Sequence, residues 1–281
     1  TENYLNKNLN INNIQANIMD IIEDTNYNIQ TTLQKKEIDL IKILVNKLDS
    51  SRAEPYDSWR DLGLLLHNIN KSSEMLNIWK SFSKKSPSYN EDSCNKKWIL
   101  WKNNAQKENP LTVRTLHWWV RQDIPIDEYR DIIKESLSAK IEQSLEGEKN
   151  TGAHYDVAEV ISDYYKNEFV CSGLKENHWY FFNGDHGGRW EATEIGHELR
   201  KKLSNEIVRI YFYYGKKYQT ESEKCEDGTI KKKIYDQMVS NCGKIISKLK
   251  DSTYKDKIIR ECRELFYDHE FSLKLNSKLD L

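Results

Sequence analysis

The chain is expected to be mainly α: a helical bundle followed by an α+β domain with a small β-hairpin. Two observations predict this. Apolar residues recur at three- and four-residue intervals along most of the 281 positions, the period of an amphipathic helix. One stretch, His178 to Trp190, breaks that period. There an aromatic run (Trp179, Tyr180, Phe181, Phe182) meets Asn183-Gly184 and Gly187-Gly188, which tolerate positive φ, and Arg189-Trp190 restarts an extended run. Strand, glycine-rich turn and strand make a hairpin signal. The aromatic run alternates too little for a one-sided strand, so burial on both faces is expected. A helix reads from Tyr155 to Glu168 before it and another from Glu194 after it. The order is helix, short strand, hairpin, basic helix.

Composition narrows the class. Charged residues make up 31% and apolar residues 38%, mean hydropathy is −0.82, and no apolar run approaches the length of a spanning helix, so no membrane partner is expected. Thr1-Glu2-Asn3 is neither basic nor followed by an apolar segment, which argues against a secretory leader. A first residue other than Met, and a last stretch LNSKLDL without a capping glycine, read as a piece of a longer protein cut before a further domain. Five cysteines (94, 171, 225, 242, 262) never form a Cys-x-x-Cys pair, so reduced thiols in an intracellular setting are expected, not a disulfide frame or zinc site. A net charge of −1 provides no global attraction to DNA; any such attraction is regional.

Four segments follow. Residues 1–48 form an N-terminal helical extension. Ten of them are Asn, which with the many Ile and Lys suggests an A/T-rich genome more than a physical role. Ile14, Ile18, Ile21 and Ile22 fit one helix face; Ile38, Ile41, Leu44, Val45 and Leu48 fit another. Residues 49–123 carry four short helices. Pro55 opens the first, with Trp59, Leu62, Leu66 and Ile69 on one face. Ser72 or Ser73 caps the second, with Met75, Trp79 and Phe82 inward. Residues 83–89, with Pro87, break the chain. Asn90 caps the third, with Cys94, Trp98 and Trp101 inward. Thr112 caps the fourth, with Leu116, Trp119 and Val120. Short loops between such helices make a bundle, here with a Trp-rich core.

These residues resemble the second class of primase C-terminal domain. The matching features are Tyr56/Trp59, Trp79/Phe82, Cys94/Trp98 and Thr115/Leu116 in YDSWRDLGLLLHNI, LNIWKSFSKKSPSYNEDSCNKKW and LTVRTLHWW. The resemblance implies a non-catalytic domain that follows a primase.

Residues 124–152 read as a linker helix and joint. Pro125 breaks the chain, Tyr129, Ile133, Leu137, Ile141 and Leu145 form a ridge, and the polar run 147–152 reads as a flexible boundary. Residues 153–281 form the second domain. After the hairpin, Leu199, Leu203, Ile207 and Tyr211 mark a helix to Tyr214, and residues 219–228 read as an acidic loop. Ile230, Ile234, Met238, Cys242, Ile245 and Leu249 mark another helix. Tyr254, Ile258, Cys262, Leu265 and Phe266 mark the next, and residues 271–281 a last short one.

This second domain resembles the N-terminal domain of poxvirus-type primase–helicases, shared by giant-virus, phage and plasmid replication proteins. The resemblance rests on Val157/Val160, Trp179/Tyr180, Gly184 and Gly188-Arg189-Trp190. It implies a collar that precedes a superfamily 3 helicase, a parent that is an ATP-dependent, hexameric helicase–primase, and a viral replication site in the host cell.

The chain's own chemistry reads as binding. It has no phosphate loop, GDHGGRW being a turn without Lys-Ser/Thr. Its acids sit on helix faces or in the acidic loop rather than in a metal-holding cluster. His178 and His186 could meet across the hairpin, but no Cys or carboxylate shell supports zinc. No catalytic residue, metal or cofactor is assigned. From Thr193 to Lys250, thirteen Lys/Arg stand against eight acids, a regional +5. The candidate DNA contacts are Arg189, Arg200, Lys201, Lys202, Arg209, Lys216, Lys217, Lys231, Lys232, Lys233, Lys244 and Lys248. Tyr213, Tyr214 and Tyr218 could stack bases of single-stranded or forked DNA. Two readings stay open. One is a coupling region that links primase to helicase and guides DNA, between flanking primase and helicase domains of an oligomeric parent. The other is an assembly module without DNA contact, its cations serving helix solubility.

Overall fold

The chain changes body at Pro125. The computed structural model describes residues 35–102, 111–147, 151–184, 188–194 and 196–276, and one compact unit ends at Pro125 while a second begins at Ile126. The break has a local cause. Ile124, which precedes the proline, is extended (φ −127°, ψ 159°), because the proline ring disfavours the helical region for its predecessor. The apolar face expected at Ile14 to Ile22 lies outside the described residues.

The first unit contains helix α1 (residues 35–47), a 3-10 turn (Ser50–Ala53), α2 (Tyr56–Ile69), α3 (Ser73–Ser83), α4 (Glu91–Lys102) and α5 (Val113–Asp123). The expected caps are in place. Ser72 Oγ accepts from Met75 N (3.4 Å), Asn90 Oδ1 accepts from Ser93 N (2.9 Å), and Thr112 forms a capping box with Thr115. Ile41, Leu44, Val45 and Leu48 of α1 are buried. Trp79, fully buried, is the centre of the aromatic core: it stacks on Trp59 (4.8 Å) and donates its indole N–H to the Trp59 carbonyl (3.0 Å). Trp98 is buried as expected; Trp59, Trp101 and Trp119 are half-buried. Arg52 holds the 3-10 turn to the end of α5 through two bonds to Asp123, each 2.7 Å.

The second unit contains α6 (Ile126–Ser136), α7 (Ser138–Ser144), α8 (His154–Tyr164), β1 (Phe169–Gly173), β2 (His178–Asn183), β3 (Arg189–Glu194), α9 (His197–Lys202), a π turn (Leu203–Ile207), α10 (Val208–Glu223), α11 (Ile230–Lys248), α12 (Ser252–Leu265) and α13 (Phe271–Asn276). The fold is mainly α with a small antiparallel sheet of order β1-β2-β3, and the hairpin register pairs Asn183 with Arg189. Both faces of β2 are packed, but only Trp179 is fully buried, against Phe266 (5.7 Å). Tyr180 and Trp190 lean on Phe271 of the short α13 (5.2 and 4.9 Å), which is too small to seal that face.

Several boundaries differ from expectation. Helix α8 ends at Tyr164, four residues early, where Tyr165 turns the chain towards β1. Helix α9 starts after Gly196, whose left-handed φ of +68° fits beneath the Trp179 ring. Helix α10 runs on to Glu223, so residues 219–223 of the supposed acidic loop are helical.

The described residues of the expected linker from Ile126 onward are part of the second body. Tyr129, Ile133, Leu137, Ile141 and Leu145 are all buried, across two helices rather than one. Ser144 Oγ meets Tyr211 OH (2.8 Å), and Asn241 donates to the Leu145 carbonyl (2.8 Å). The described part of the expected joint is pinned. Tyr254 OH donates to the Gly152 carbonyl (2.6 Å) and Lys248 Nζ to the Thr151 carbonyl (2.7 Å). A polar glycine segment reads as loose only until side chains from elsewhere satisfy its backbone.

Candidate nucleic-acid interface

Most of the candidate cations are engaged within the protein. Arg200 pairs with Asp256, Lys201 with Glu198 (3.3 Å), Lys202 with Glu206 (2.7 Å) and Lys232 with Asp227 (3.6 Å). Arg189 reaches Glu191 (3.3 Å) from an exposed position at the start of β3. Lys244 donates to Asn241 (3.1 Å), and Lys248 is the strut on Thr151 already described. Lys202 belongs to a buried network. Arg130 forms two bonds to Glu168 (2.5 and 2.8 Å), Tyr165 OH donates to Glu206 (2.9 Å), and Lys202 closes on the same Glu206. Burial alone would lower the Arg130 pKa, but the charge and hydrogen bonds of Glu168 more than offset this and hold the guanidinium charged. The π turn presents Glu206 to this network.

Arg209, Lys216, Lys217, Lys231 and Lys233 are exposed and make no ion pair with a described residue. On α10, Arg209, Phe212, Tyr213 and Lys216 stand at i, i+3, i+4 and i+7, hence on one face. Phe212 is 55% exposed and Tyr213 39%, with Lys216 Nζ 4.8 Å from the Phe212 ring. Lys134 Nζ lies 3.7 Å from the Tyr213 ring, and Tyr213 OH donates to Glu135 (2.8 Å). Two exposed aromatic rings thus lie between cations, with about 10 Å of helix between Arg209 and Lys216 at 1.5 Å per residue, a spacing on which bases could stack with phosphates at both ends.

The stacking set expected from sequence is corrected in two of its three members. Tyr214 and Tyr218 are buried; their hydroxyls donate to the Lys134 carbonyl (3.3 Å) and Glu142 (3.2 Å), and burial raises both phenol pKa values. Phe212 and Lys134 were missed. Phe212 was findable, because it lies off the Leu199–Leu203–Ile207–Tyr211 face and between two cations at helical spacing. The apolar stripe expected along α11 is also half exposed: Ile230 (78%) and Ile234 (51%) face outward, because the buried positions of α11 begin only at Asn241. Of the two histidines that could meet across the hairpin, His186 lies outside the described residues. Among the described residues no group of three or more His, Cys, Asp or Glu could hold a metal ion, and no helix is long and apolar enough to cross a membrane.

Residues 41–120, from within α1 to within α5, match the family described as Primase C terminal 2 (PriCT-2). Beyond that segment the likeness continues through both units. The chain is 28% identical to "Putative helicase L207/L206" of Acanthamoeba polyphaga mimivirus, over 97% of this chain and 27% of that protein. It is 25% identical to "Putative helicase 022R" of Frog virus 3, over 83% of this chain and 25% of that protein. The chain is similar to proteins of the viral primase–helicase type. It spans about a quarter of the length of these viral helicase relatives. The PriCT-2 match falls on the first unit, and the α10 face lies in the second.

Proposed function

We propose that this chain is a non-catalytic coupling region of a viral replicative DNA primase–helicase. The first unit adjoins a primase; the second forms a collar before a superfamily 3 helicase and guides single-stranded or forked DNA. The observation that carries the DNA contact is the α10 face of Arg209, Phe212, Tyr213 and Lys216, whose two cations pair with no acid among the described residues and flank two exposed rings. Lys217, Lys231 and Lys233 would add phosphate contacts without stacking. ATP hydrolysis and a hexameric ring would belong to the parent protein at a viral replication site, and no cofactor is assigned to this chain.

Binding of a short single strand to the purified chain, followed by fluorescence anisotropy across a salt series, tests this. Log affinity is expected to fall with log salt by about 0.7 per phosphate neutralised. Arg209→Glu with Lys216→Glu flattens that slope by about 1.4. The second reading, an assembly module without DNA contact, draws on Ile230 and Ile234, exposed on one face of α11. Absence of DNA binding at low salt, with discrete oligomers by light scattering, would decide for it.

A further inference from the structure

A cavity of about 270 Å³ lies in the first unit, where the 3-10 turn, the start of α2, the α3–α4 loop and α4 meet. Its lining includes Trp59 and Cys94. The polar edge of Trp59 is already occupied: its N–H donates to Ser83 Oγ (2.7 Å), and its ring stacks on Trp79. Burial raises the Cys94 pKa, so the thiol is neutral and acts as an apolar surface. Ser86, Ser88 and Ser93 add neutral hydroxyls to the lining. Tyr89, also in the lining, has a hydroxyl buried without a hydrogen-bond partner among the described residues.

Tyr56 and Lys97 complete the lining. Tyr56 is 54% exposed, so core packing does not explain the ring. Lys97 Nζ lies 4.8 Å from its centroid, donates to its hydroxyl (2.7 Å) and makes no ion pair with a described residue. Tyr56, Trp59 and Cys94 are also residues that carry the primase C-terminal resemblance. Of these, Cys94 is core, as Trp79, Phe82 and Trp98 are; Tyr56 and Trp59 instead stay partly exposed at the cavity.

The geometry points to a single-nucleotide site, in which an unpaired base of single-stranded nucleic acid enters the slot beside Tyr56 and Trp59 and its phosphate meets Lys97. An indole offers a flat apolar surface for any base, hydroxyls satisfy its edge as donors or acceptors, and an uncompensated ammonium suits one phosphate. Glu54, exposed in the same lining, disfavours a second phosphate and limits the site to one unit. This site does not depend on the α10 face, which lies in the other unit.

Photocross-linking of the whole chain to a short single strand carrying 5-iodouracil, mapped by mass spectrometry, tests the site. Adducts are expected at Tyr56 or Trp59. Ser93→Phe, which fills the slot, and Lys97→Glu, which reverses the rim charge, are each expected to cut adduct yield about tenfold, within the range of one stacked base. An intact competitor strand removes the adducts and an abasic strand of equal length does not. With Arg209→Glu and Lys216→Glu the Tyr56 or Trp59 adducts persist, which separates this site from the α10 face. If Ser93→Phe fails to fold by circular dichroism, Lys97→Glu decides. No adduct between residues 53 and 97, adducts undiminished by Lys97→Glu, or equal competition by the abasic strand would overturn the assignment.

Discussion

Gly63 shows how one missing methyl sets the first unit. A Cβ there would lie 2.4 Å from Trp79 Cε2 and 2.9 Å from Trp101. Glycine inside a helix costs about 0.5–1 kcal/mol relative to alanine, so Gly63→Ala would stabilise an isolated α2. In the bundle the sign reverses, because the indole packs directly on the helix backbone. Gly63→Ala is expected to lower stability by about 1–3 kcal/mol, read as a shifted urea midpoint at unchanged slope. Phe212 gives the matching test on the α10 face. Phe212→Ala is expected to weaken single-strand binding by about 1–3 kcal/mol without altering the salt slope, because it removes stacking and no charge. A changed slope would count against the stacking role.

At the scale of elements, the Arg130 network joins α6, the turn before β1 and the π turn. Arg130 is 13% exposed in its side chain and Glu168 6%. Removing one partner of such a pair strands a buried charge, so Arg130→Ala is expected to cost about 3–5 kcal/mol. Replacing both with apolar residues, Arg130→Met with Glu168→Leu, is expected to recover most of that loss in the same melt. If the double variant is no better than the single, the network contributes more than the pairing of these two charges. Helices α10 and α11 meet at Gly215, where a Cβ would sit 3.4 Å from the Cys242 side chain. Towards its first residues α11 turns Ile230 and Ile234 outward, which leaves that end of the α10–α11 pair as available surface.

At the scale of the molecule, the second unit is held by buried phenols. Tyr164, Tyr165, Tyr211, Tyr214, Tyr218 and Tyr254 all have raised pKa values, chiefly through burial. The folded values exceed the unfolded value near 10, so their stabilisation is full below about pH 10 and is lost as pH rises towards the folded values. Each contributes up to about 1.4 kcal/mol of loss per pH unit above that point. Melting temperature is therefore expected to hold from pH 8 to 9.5 and to fall steeply by pH 11. Tyrosinate absorbance from these residues would appear together with loss of helicity; a full tyrosinate signal from a still helical chain would contradict the burial.

Much of this architecture was legible in the residues themselves. Ser72, Asn90 and Thr112 mark helix starts because a cap bonds within its own first turn, Pro55 does so because its ring fixes φ near −67°, and Asn183-Gly184 announces the hairpin because turns are short-range. What the sequence did not disclose was which polar groups find partners. Lys248 meets Thr151 across 97 positions, Arg130 meets Glu168 across 38, and Arg200 meets Asp256 across 56. Pairings of this kind engage seven of the region's thirteen cations and hold residues 126–147 and 151–152 in the second body, while packing hides Tyr214 and Tyr218 and leaves Phe212 and Tyr213 outside. Local spacing determines which face of a helix is apolar. Only the assembled fold decides what covers that face, and how much of it stays in water.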